Sequence, residues 1–588
     1  MRAKALWAAL FASFAILSIC FGGQEQTALT GNFLHQDQIH ILDFKPGRFF
    51  LISNSEDSSR LEVFNDIDLN PQGTLDLKLS CDHEFELNDN SPRNNKREVR
   101  IGKSKEAVFV LGKEIQVCQL NYGSGGVTSS IKLVSELSVF PWLGGLVTHR
   151  EFCPGQKLTQ LSCSHSVRNF QMLETPESGF IAKTEMLLGQ KLSYTFVKNQ
   201  NPYAEIDFSK APKLDAIFLA TLVFRADFYG TVMSRLLKFH ADRGTVVYIL
   251  TTGYMMLDKD KKLLRRMAAD NGNVRLQEFS FHDPEHGLAL PLRYIDNKFR
   301  DMHIKLLITL AHDPNHNAVV FGGRNIHDGF LFEDKPNYSK YPDLVQYGVD
   351  DDFVHWSDFE AKINAKEIAE VTAAHLLRYW NRDVLTEKME DFAGDKPESK
   401  EQAQNSSMIE MQHLISVPYQ DHRALEKLYI ALIDGAVHSI KISSPYLRPT
   451  PGIMKALQRA IDRKVDITIQ TRVSLAGDTQ AWLYEEVNKE SINALFDKVK
   501  IYEWRGNSIL HSKFLLIDGE RGFIGSVNLS RRSFIQDAEN GFLVKNKAVV
   551  SQMEKIFSSY IAHSRQILQP EPRKLFPTVI IQILKDQF

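Results

Sequence analysis

Residues 511–530 read HSKFLLIDGERGFIGSVNLS, and the fold follows from this stretch. His511 and Lys513 precede an apolar run typical of a buried strand, and the turn DGERG leads into a second apolar run. Because side chains alternate along a strand, His511 and Lys513 face one side and Ser512 faces the other. Gly525 permits a neighbouring backbone to come close. The stretch therefore predicts a β-hairpin with a polar pair on one face.

A second copy of this pattern lies earlier in the chain, as HIKLLITLAHDPNHNAVVFGGRN at residues 303–325. Both copies read His-x-Lys, an apolar strand, a turn, and a second strand that ends in Gly-Gly-x-Asn or Gly-Ser-x-Asn. His303 and Lys305 again share one face of a strand. The first copy has the longer turn, because seven residues separate Lys305 from Asp313 where four precede Asp518 in the second.

Strands and helices alternate around both copies, and this alternation also repeats. Residues 216–250 parallel residues 439–470, each as a strand, an amphipathic helix and another strand. Residues 273–279 parallel residues 499–504 in the same way. Such alternation predicts βαβ units and a mostly parallel or mixed sheet in each of two homologous halves.

The region before these halves has a different pattern of polar and apolar residues. Polar and apolar residues alternate with period two, and NPQG and YGSGG mark turns, which predicts a β-rich accessory domain. The charged, turn-rich stretch between the halves is typical of an exposed linker. The predicted divisions are a leader or anchor (1–23), the accessory domain (24–204), a first half (205–389), the linker (390–408) and a second half (409–588).

The N-terminus has the layout of a secretory signal, with Arg2 and Lys4 before an apolar run over residues 5–23. An uncleaved membrane anchor is one alternative, and a lipoprotein leader with its cysteine at Cys20 is another. The sequence thus favours an exported protein, periplasmic or membrane-associated.

Four cysteines follow the leader, and all of them fall in the accessory domain. An even number of cysteines in an exported chain favours disulfides, which form in oxidising compartments such as a periplasm. Pairing Cys81 with Cys118 and Cys153 with Cys163 gives the shortest connections, and two other arrangements are possible.

The overall charge argues weakly against nucleic acid as the partner. The chain has 70 Lys and Arg residues against 72 Asp and Glu residues, a net charge of −2 over 588 residues. Proteins that bind nucleic acid usually carry a basic excess, although a local basic groove can exist within a neutral total.

The second copy resembles the phospholipase D superfamily, because it matches the complete motif HxKxxxxDxxxxxxGSxN. Residues 210–565 further resemble bacterial cardiolipin synthases, in SSPYLRPTPGIMKALQRAIDRKVDITI before the second motif and in GGRNIHD and VHWSD of the first half. The resemblance implies two α/β/α sandwich halves related by pseudo-twofold symmetry. Those synthases typically begin with two membrane spans, where this chain has a single leader and the β-rich domain. The matching positions are His511, Lys513, Asp518, Gly525, Ser526 and Asn528.

Two histidines, two lysines and two asparagines that converge would form a phosphate site. A neutral imidazole can attack phosphorus, and an imidazolium can protonate the leaving oxygen. The resemblance implies that His303 is the nucleophile, that it forms a phosphohistidine, and that His511 acts first as acid and then as base. It implies no metal and no cofactor. The groups expected to bind the phosphate are Lys305, Lys513, Asn325, Asn528, Ser526 and Gly323.

Carboxylates are expected around this site because each histidine needs an acceptor that fixes its tautomer. By resemblance, Glu539 takes this role in the second half and Asp358 in the first, with Asp328 as the weaker alternative. The motif aspartates Asp518 and Asp313 are expected to support local structure.

Three functions fit these residues. The favoured function is that of a phosphodiesterase or phosphatidyltransferase that acts on phospholipids at a membrane surface, by cardiolipin synthase-like transfer or phospholipase D hydrolysis. A nuclease of the same superfamily and a non-catalytic binding protein are the alternatives. Because both motifs lie in one chain, we expect a monomer. The tail at residues 573–588 is either a membrane-surface segment or an edge strand, and His312 and His316 form either a metal site or, preferably, a solvated loop.

Overall fold

A computed structural model describes most of the chain after residue 39. The residues it describes are 40–135, with short gaps between strands, and 164–279, 300–380, 408–473 except 417 and 419–422, and 481–574. The predicted leader, nearly all of the predicted linker and nearly all of the C-terminal tail lie outside these residues. The chain divides into two compact units, residues 1–144 and residues 145–588.

The first unit is a β-sheet, as the period-two alternation predicts. The strand order is β1-β2-β3-β6-β4-β7-β8, and β5 pairs with β4. The YGSGG turn joins β7 and β8 into an antiparallel hairpin. The strands are β1 (His40–Phe44), β2 (Gly47–Ser53), β3 (Ser59–Phe64), β4 (Leu75–Leu87), β5 (Asn94–Ile101), β6 (Glu106–Gly112), β7 (Gln116–Ser124) and β8 (Val127–Ser135).

One of the two predicted disulfides lies within this sheet. Cys81 on β4 stands directly opposite Cys118 on β7, and the two form a disulfide. The antiparallel register therefore explains why these two cysteines pair. The other predicted pair, Cys153 with Cys163, lies outside the described residues.

The second unit contains two mixed sheets and the helices that cover them. Its strands are β9 (His165–Val167), β10 (Phe170–Leu173), β11 (Ala216–Thr221), β12 (Val246–Thr252), β13 (Val274–Phe279), β14 (Leu306–Leu310), β15 (Ala318–Gly322), β16 (Trp356–Ser357), β17 (Glu360–Asn364), β18 (Ile409–Ser416), β19 (Ser439–Ser443), β20 (Asp466–Thr471), β21 (Lys500–Trp504), β22 (Ile509–Leu510), β23 (Phe514–Ile517), β24 (Arg521–Gly525), β25 (Glu539–Lys545) and β26 (Ser564–Gln566). Its helices are α1 (Pro176–Leu188), α2 (Tyr194–Lys198), α3 (Phe228–Asp242), α4 (Asp258–Asp270), α5 (Lys366–Trp380), α6 (Ala424–Asp434), α7 (Pro451–Asp462), α8 (Ala481–Leu495), α9 (Arg531–Ile535) and α10 (Lys547–Ala562).

The two sheets have the same core topology. The first runs β13-β12-β11-β14-β15-β17-β10, and the second contains β21-β20-β19-β23-β24-β25-β18 with β26 and β9 added at its edges. In both, the first three strands of the series are parallel, and the remaining neighbours are antiparallel. The α/β fold and the repeated strand–helix–strand units are thus confirmed, and the pseudo-twofold relation between the halves stays a prediction.

Local sequence explains these elements. β11 and β12 are buried at every residue, which suits interior strands with the nearly continuous apolar sequences AIFLAT and VVYILTT. The helices that follow the first strand of each half begin with side-chain caps: Asp227 accepts from the Gly230 N–H, and Thr450 accepts from the Ile453 N–H. Among the described residues, no helix combines the length and apolar character needed to cross a membrane.

The domain boundary predicted at residue 204 differs from the structure. β9 pairs with β18, and β10 pairs with β17, so residues well before 204 complete the two sheets of the second unit. Phe180 and Leu187 of α1 are fully buried in the core of the first half. The short β10 continues the alternation of the earlier strands, so the sequence pattern shows no break where the first half begins.

Candidate active site

The two hairpins bring their polar pairs into one buried site. His303 and Lys305 lie just before β14, and His511 and Lys513 lie just before β23. Both lysines are 2% exposed. The charged groups of the two halves also influence each other, because Lys305 and Lys513 each lower the pKa of both histidines. The two copies of the motif therefore build one site.

Each histidine is held by a carboxylate from the other half of the chain. His303 Nδ1 lies 2.9 Å from Glu539 Oε2, and His511 Nδ1 lies 2.7 Å from Asp358 Oδ2. In a neutral imidazole such a bond places the proton on Nδ1 and leaves the Nε2 lone pair for a substrate. The sequence identified these carboxylates, but it did not indicate that they pair crosswise.

Backbone hydrogen bonds explain the crosswise pairing. The His303 N–H donates to the Ala538 carbonyl at 2.8 Å, next to Glu539. In the same way the His511 N–H donates to the Ser357 carbonyl at 2.8 Å, next to Asp358, where β16 and β22 run parallel. Each histidine therefore bonds through its backbone to the residue directly before the other half's carboxylate.

Glu539 is fixed by two hydroxyl groups in addition to His303. Ser533 Oγ donates to Glu539 Oε1 at 2.5 Å, and Ser526 Oγ donates to Oε2. Glu539 is fully buried, so these donors replace the water that would otherwise solvate the carboxylate. Sequence reasoning gave Ser533 no role, although it lies only six residues before Glu539.

The motif glycines make room for strands and for Asp358. A Cβ on Gly323 would lie 2.1 Å from Asp358 Oδ2. A Cβ on Gly525 would lie 2.2 Å from the Asn540 carbonyl oxygen. Both positions therefore require the absence of a side chain.

Substitution of Gly525 by alanine is expected to lower the free energy of unfolding by about 1–3 kcal/mol, because the new methyl group must displace the backbone of β25. Gly272 is a matched control, since a Cβ there meets no atom within 4 Å. Gly272→Ala should change stability by less than about 0.5 kcal/mol. Denaturant unfolding of both variants measures the difference, and equal effects would contradict this account of Gly525.

Two of the predicted phosphate-binding groups have other partners in the structure. The Ser526 hydroxyl donates to Glu539 and its N–H donates to the Asn540 carbonyl at 2.9 Å, so both donors are engaged. Gly323 lies against the Asp358 carboxylate. Ser526 therefore supports a carboxylate and the neighbouring strand instead of presenting a donor to a phosphate, whereas phosphate binding at Gly323 stays a prediction.

The motif asparagines border the site. Asn325 is 5% exposed, and its Oδ1 accepts from the Val223 N–H and the Thr221 hydroxyl, both at 3.3 Å. Asn528 is 7% exposed, and its Oδ1 is buried with no hydrogen-bond partner among the described residues. The unpaired atom is an acceptor, so a bound substrate would complete it with a donor such as a hydroxyl group.

The two motif aspartates differ from each other. Asp518 adopts a positive φ of 55° and accepts from the backbone N–H groups of Val437, His438 and Ser439, which secures the start of β19. The Asp313 side chain accepts from the Asn315 N–H at 3.0 Å and pairs with His316 at 3.6 Å, so it caps its own turn. Asp518 thus secures a neighbouring strand, whereas the described contacts of Asp313 lie within its turn.

The other residues singled out in the sequence, Asp328 and His312, form hydrogen bonds elsewhere and not with His303 or His511. Asp328 accepts from the Phe228 and Tyr229 N–H groups and from the Tyr338 hydroxyl. The His312 side chain is 91% exposed and contacts Asp215. Among the described residues there is no group of three or more His, Cys, Asp or Glu residues that could hold a metal ion.

Burial governs the charges of the site. It lowers the pKa of both histidines well below the usual value, which favours neutral imidazoles at neutral pH. Burial also lowers the pKa of Lys305 to about 8 and that of Lys513 to about 7. An anionic substrate would favour the protonated lysines, so phosphate binding and lysine protonation are linked.

The affinity for sulfate, an anion that keeps its charge, is expected to fall as the pH rises through about 7 and about 8. The sign follows from the lysines, which are charged below their pKa values and neutral above them. Calorimetric titration at several pH values measures the effect. Lys513→Met should remove the lower of the two steps, and Lys500→Met, an exposed control, should keep both. A dissociation constant independent of pH would contradict this assignment.

Comparisons with known proteins show which families this chain is similar to. The family described as cardiolipin synthase, PLD-like domain, matches residues 429–561 in the second half. A cardiolipin synthase from Listeria welshimeri is 25% identical over 366 residues, which are 62% of this chain and 67% of the relative. A cardiolipin synthase from Clostridium perfringens is 24% identical over 355 residues, which are 60% of this chain and 66% of the relative.

Among solved structures, the phosphatidylserine synthase of Haemophilus influenzae superposes with a TM-score of 0.46 at 15% identity. The superposition covers 72% of this chain and 93% of that protein.

Proposed function

This chain belongs to the phospholipase D superfamily, and we propose that it is a phosphatidyltransferase that acts on phospholipids. The names of its relatives, the cardiolipin synthases, support this proposal. The observation that carries the proposal is the pair of buried histidines, each bound at Nδ1 by a carboxylate and each next to a buried lysine. This arrangement supplies two imidazoles with free Nε2 atoms and two cations for one phosphate.

In the first step His303 Nε2 attacks the phosphorus of a phospholipid. A P–N bond forms, the P–O bond to the head-group alcohol breaks, and the leaving oxygen takes a proton from His511 Nε2. Glu539 stabilises the positive charge that develops on His303, and Asp358 does so for His511. The chain carries a phosphatidyl group on His303 at the end of this step.

In the second step an alcohol replaces the departed head group. His511, now neutral, removes the hydroxyl proton while the alcohol oxygen attacks phosphorus and the P–N bond breaks. Water in place of the alcohol gives hydrolysis to phosphatidic acid. Transfer between two phosphatidylglycerol molecules gives cardiolipin and glycerol.

The lysines and asparagines serve the phosphate oxygens in this proposal. Lys305 and Lys513 are both buried beside the histidines, and their charge offsets the charge that concentrates on the non-bridging oxygens in the transition state. Asn325 and Asn528 contribute amide groups. The bound anion also raises the pKa of His511 from its lowered value in the empty site, which provides the imidazolium needed for the first step.

The proposal includes the location of the protein. The apolar leader at residues 1–23 and the disulfide between Cys81 and Cys118 support export to an oxidising compartment, where the protein would act at a membrane surface. Since one chain supplies both histidines, a monomer has a complete site.

Incubation of the purified protein with phosphatidylglycerol vesicles tests this function. We expect cardiolipin or phosphatidic acid by lipid mass spectrometry, with no added metal. Cleavage of single-stranded DNA, combined with no lipid turnover, would overturn the proposal in favour of a nuclease. The His303→Asn variant controls for contaminating activity.

A further inference from the structure

The matching registers of the two sheets allow the halves of the site to be compared position by position. In the first half Leu306, which follows Lys305, pairs with Ala220 of β11, and Ala220 pairs with Leu250 of β12. In the second half Phe514, which follows Lys513, pairs with Ser443 of β19, and Ser443 pairs with Gln470 of β20. Two residues further along lie Thr252 and Arg472. These two residues therefore occupy equivalent places in the two halves.

The equivalent residues differ in charge. Thr252 is fully buried, and its hydroxyl donates to the Met302 carbonyl at 3.3 Å. Arg472 is 5% exposed, and its backbone carbonyl accepts from Asn488 Nδ2 at 2.7 Å. The positive charge of Arg472 contributes to the lowered pKa of His511, after burial and the two motif lysines. The second half thus contributes a buried cation where the first contributes a neutral hydroxyl.

The surroundings of the histidines differ in a second way. The rings of Phe330 and Trp356 lie 5.2 and 5.1 Å from the His511 ring, and they stack on each other at 5.8 Å. Phe330 lies five residues after Asn325, and Ser533 lies five residues after Asn528. Trp356 lies two residues before the carboxylate of its half, and Asp537 lies two residues before Glu539. His511 therefore has an apolar, aromatic wall, whereas the corresponding wall beside His303 is polar.

We propose that Arg472 selects the acceptor by binding an anionic group, a phosphodiester, on the alcohol that His511 activates. This inference rests on the proposed function with His511 as acid and base, because the leaving and entering alcohol oxygens then both lie at His511 Nε2. A guanidinium suits phosphate because its planar donors form paired, charge-assisted hydrogen bonds. Phe330 and Trp356 cover the carbon atoms of the same alcohol.

The selectivity is measured with two soluble alcohols in competition for phosphatidyl groups from phosphatidylglycerol vesicles. Glycerophosphoglycerol carries a phosphodiester, propane-1,2-diol is neutral, and their products differ in mass. We expect the wild type to prefer glycerophosphoglycerol per mole of acceptor, and Arg472→Gln to lower the preference about tenfold or more. Arg472→Lys, which keeps the charge but loses the paired planar donors, should show a preference between those of the wild type and of Arg472→Gln.

Arg459→Gln is the matched control, because Arg459 is an exposed residue of α7 that pairs with Asp434. This variant should keep the wild-type preference. Equal losses toward both acceptors in Arg472→Gln would overturn the inference, and so would a wild type that prefers neither alcohol. If Arg472→Gln melts early, Arg472→Met is measured in its place, with the same expected and contradicting results. A wild type that transfers to no acceptor would overturn the proposed function as well.

Discussion

Replacement of His511 by asparagine is expected to reduce lipid turnover about 10³-fold or more, because the side chain loses Nε2, the atom that exchanges a proton with the alcohol. The thermal unfolding transition should hardly change. Asparagine is smaller, and its amide N–H can still donate to Asp358, which would otherwise be a buried carboxylate without this partner. Turnover of phosphatidylglycerol vesicles and scanning calorimetry measure the two effects.

His312→Asn is the control for this substitution. Its side chain is 91% exposed in the longer turn of the first hairpin and contacts Asp215 rather than the site. Turnover and melting should both equal those of the wild type. Residual activity above about a hundredth of the wild type in His511→Asn would contradict the two-histidine mechanism, since general acid–base catalysis alone is worth about 10²–10⁴.

Neutralising either site carboxylate is expected to lower turnover about 10²–10⁴-fold, because the imidazole loses the acceptor that fixes its tautomer and stabilises its positive form. The crosswise geometry makes the effect specific. Asp358→Asn should disturb His511, which lies in the other half, and Glu539→Gln should disturb His303. Each change thus affects a histidine far away in sequence.

Nitrogen NMR of histidine-labelled protein measures this specificity, because the ring nitrogen resonances report the tautomer. Assignment follows from the His303→Asn and His511→Asn variants. Asp434→Asn, at an exposed residue paired with Arg459, should leave both resonances in place. A shift confined to the histidine of the same half as the substituted carboxylate would contradict the crosswise arrangement.

Much of the fold could be predicted because the sequence contains an internal repeat, so each half could be compared with the other. The repetition of strand, helix and strand at residues 216–250 and 439–470 indicated two related sheets, and both sheets are present with one strand order. The boundary before the first half could not be found in this way. β10 has only four residues, and its partner β17 is almost 190 residues away, so nothing in the local pattern marks it as part of a different sheet.

The identity of the site residues could be predicted better than their contacts. The motif spacing indicated that His511 and Lys513 belong to the site, and in the structure both are buried just before β23. The crosswise carboxylate bonds depend on backbone pairing between segments more than 150 residues apart, such as Ile509 with Trp356. Sequence spacing carries no information on such a contact. Ser526 illustrates the same limit, because its motif position is clear but its hydroxyl is bound to Glu539.

In the proposed reaction, both halves act on one phosphate through a covalent intermediate on His303. The most direct test mixes the wild type with phosphatidylglycerol vesicles, quenches the reaction in alkali within the first turnovers, and locates modified peptides by mass spectrometry. The account predicts a phosphatidyl group on the peptide that contains His303, which disappears as transfer proceeds. A phosphatidyl group on His511 instead, or steady turnover with no histidine modified at any time, would contradict it.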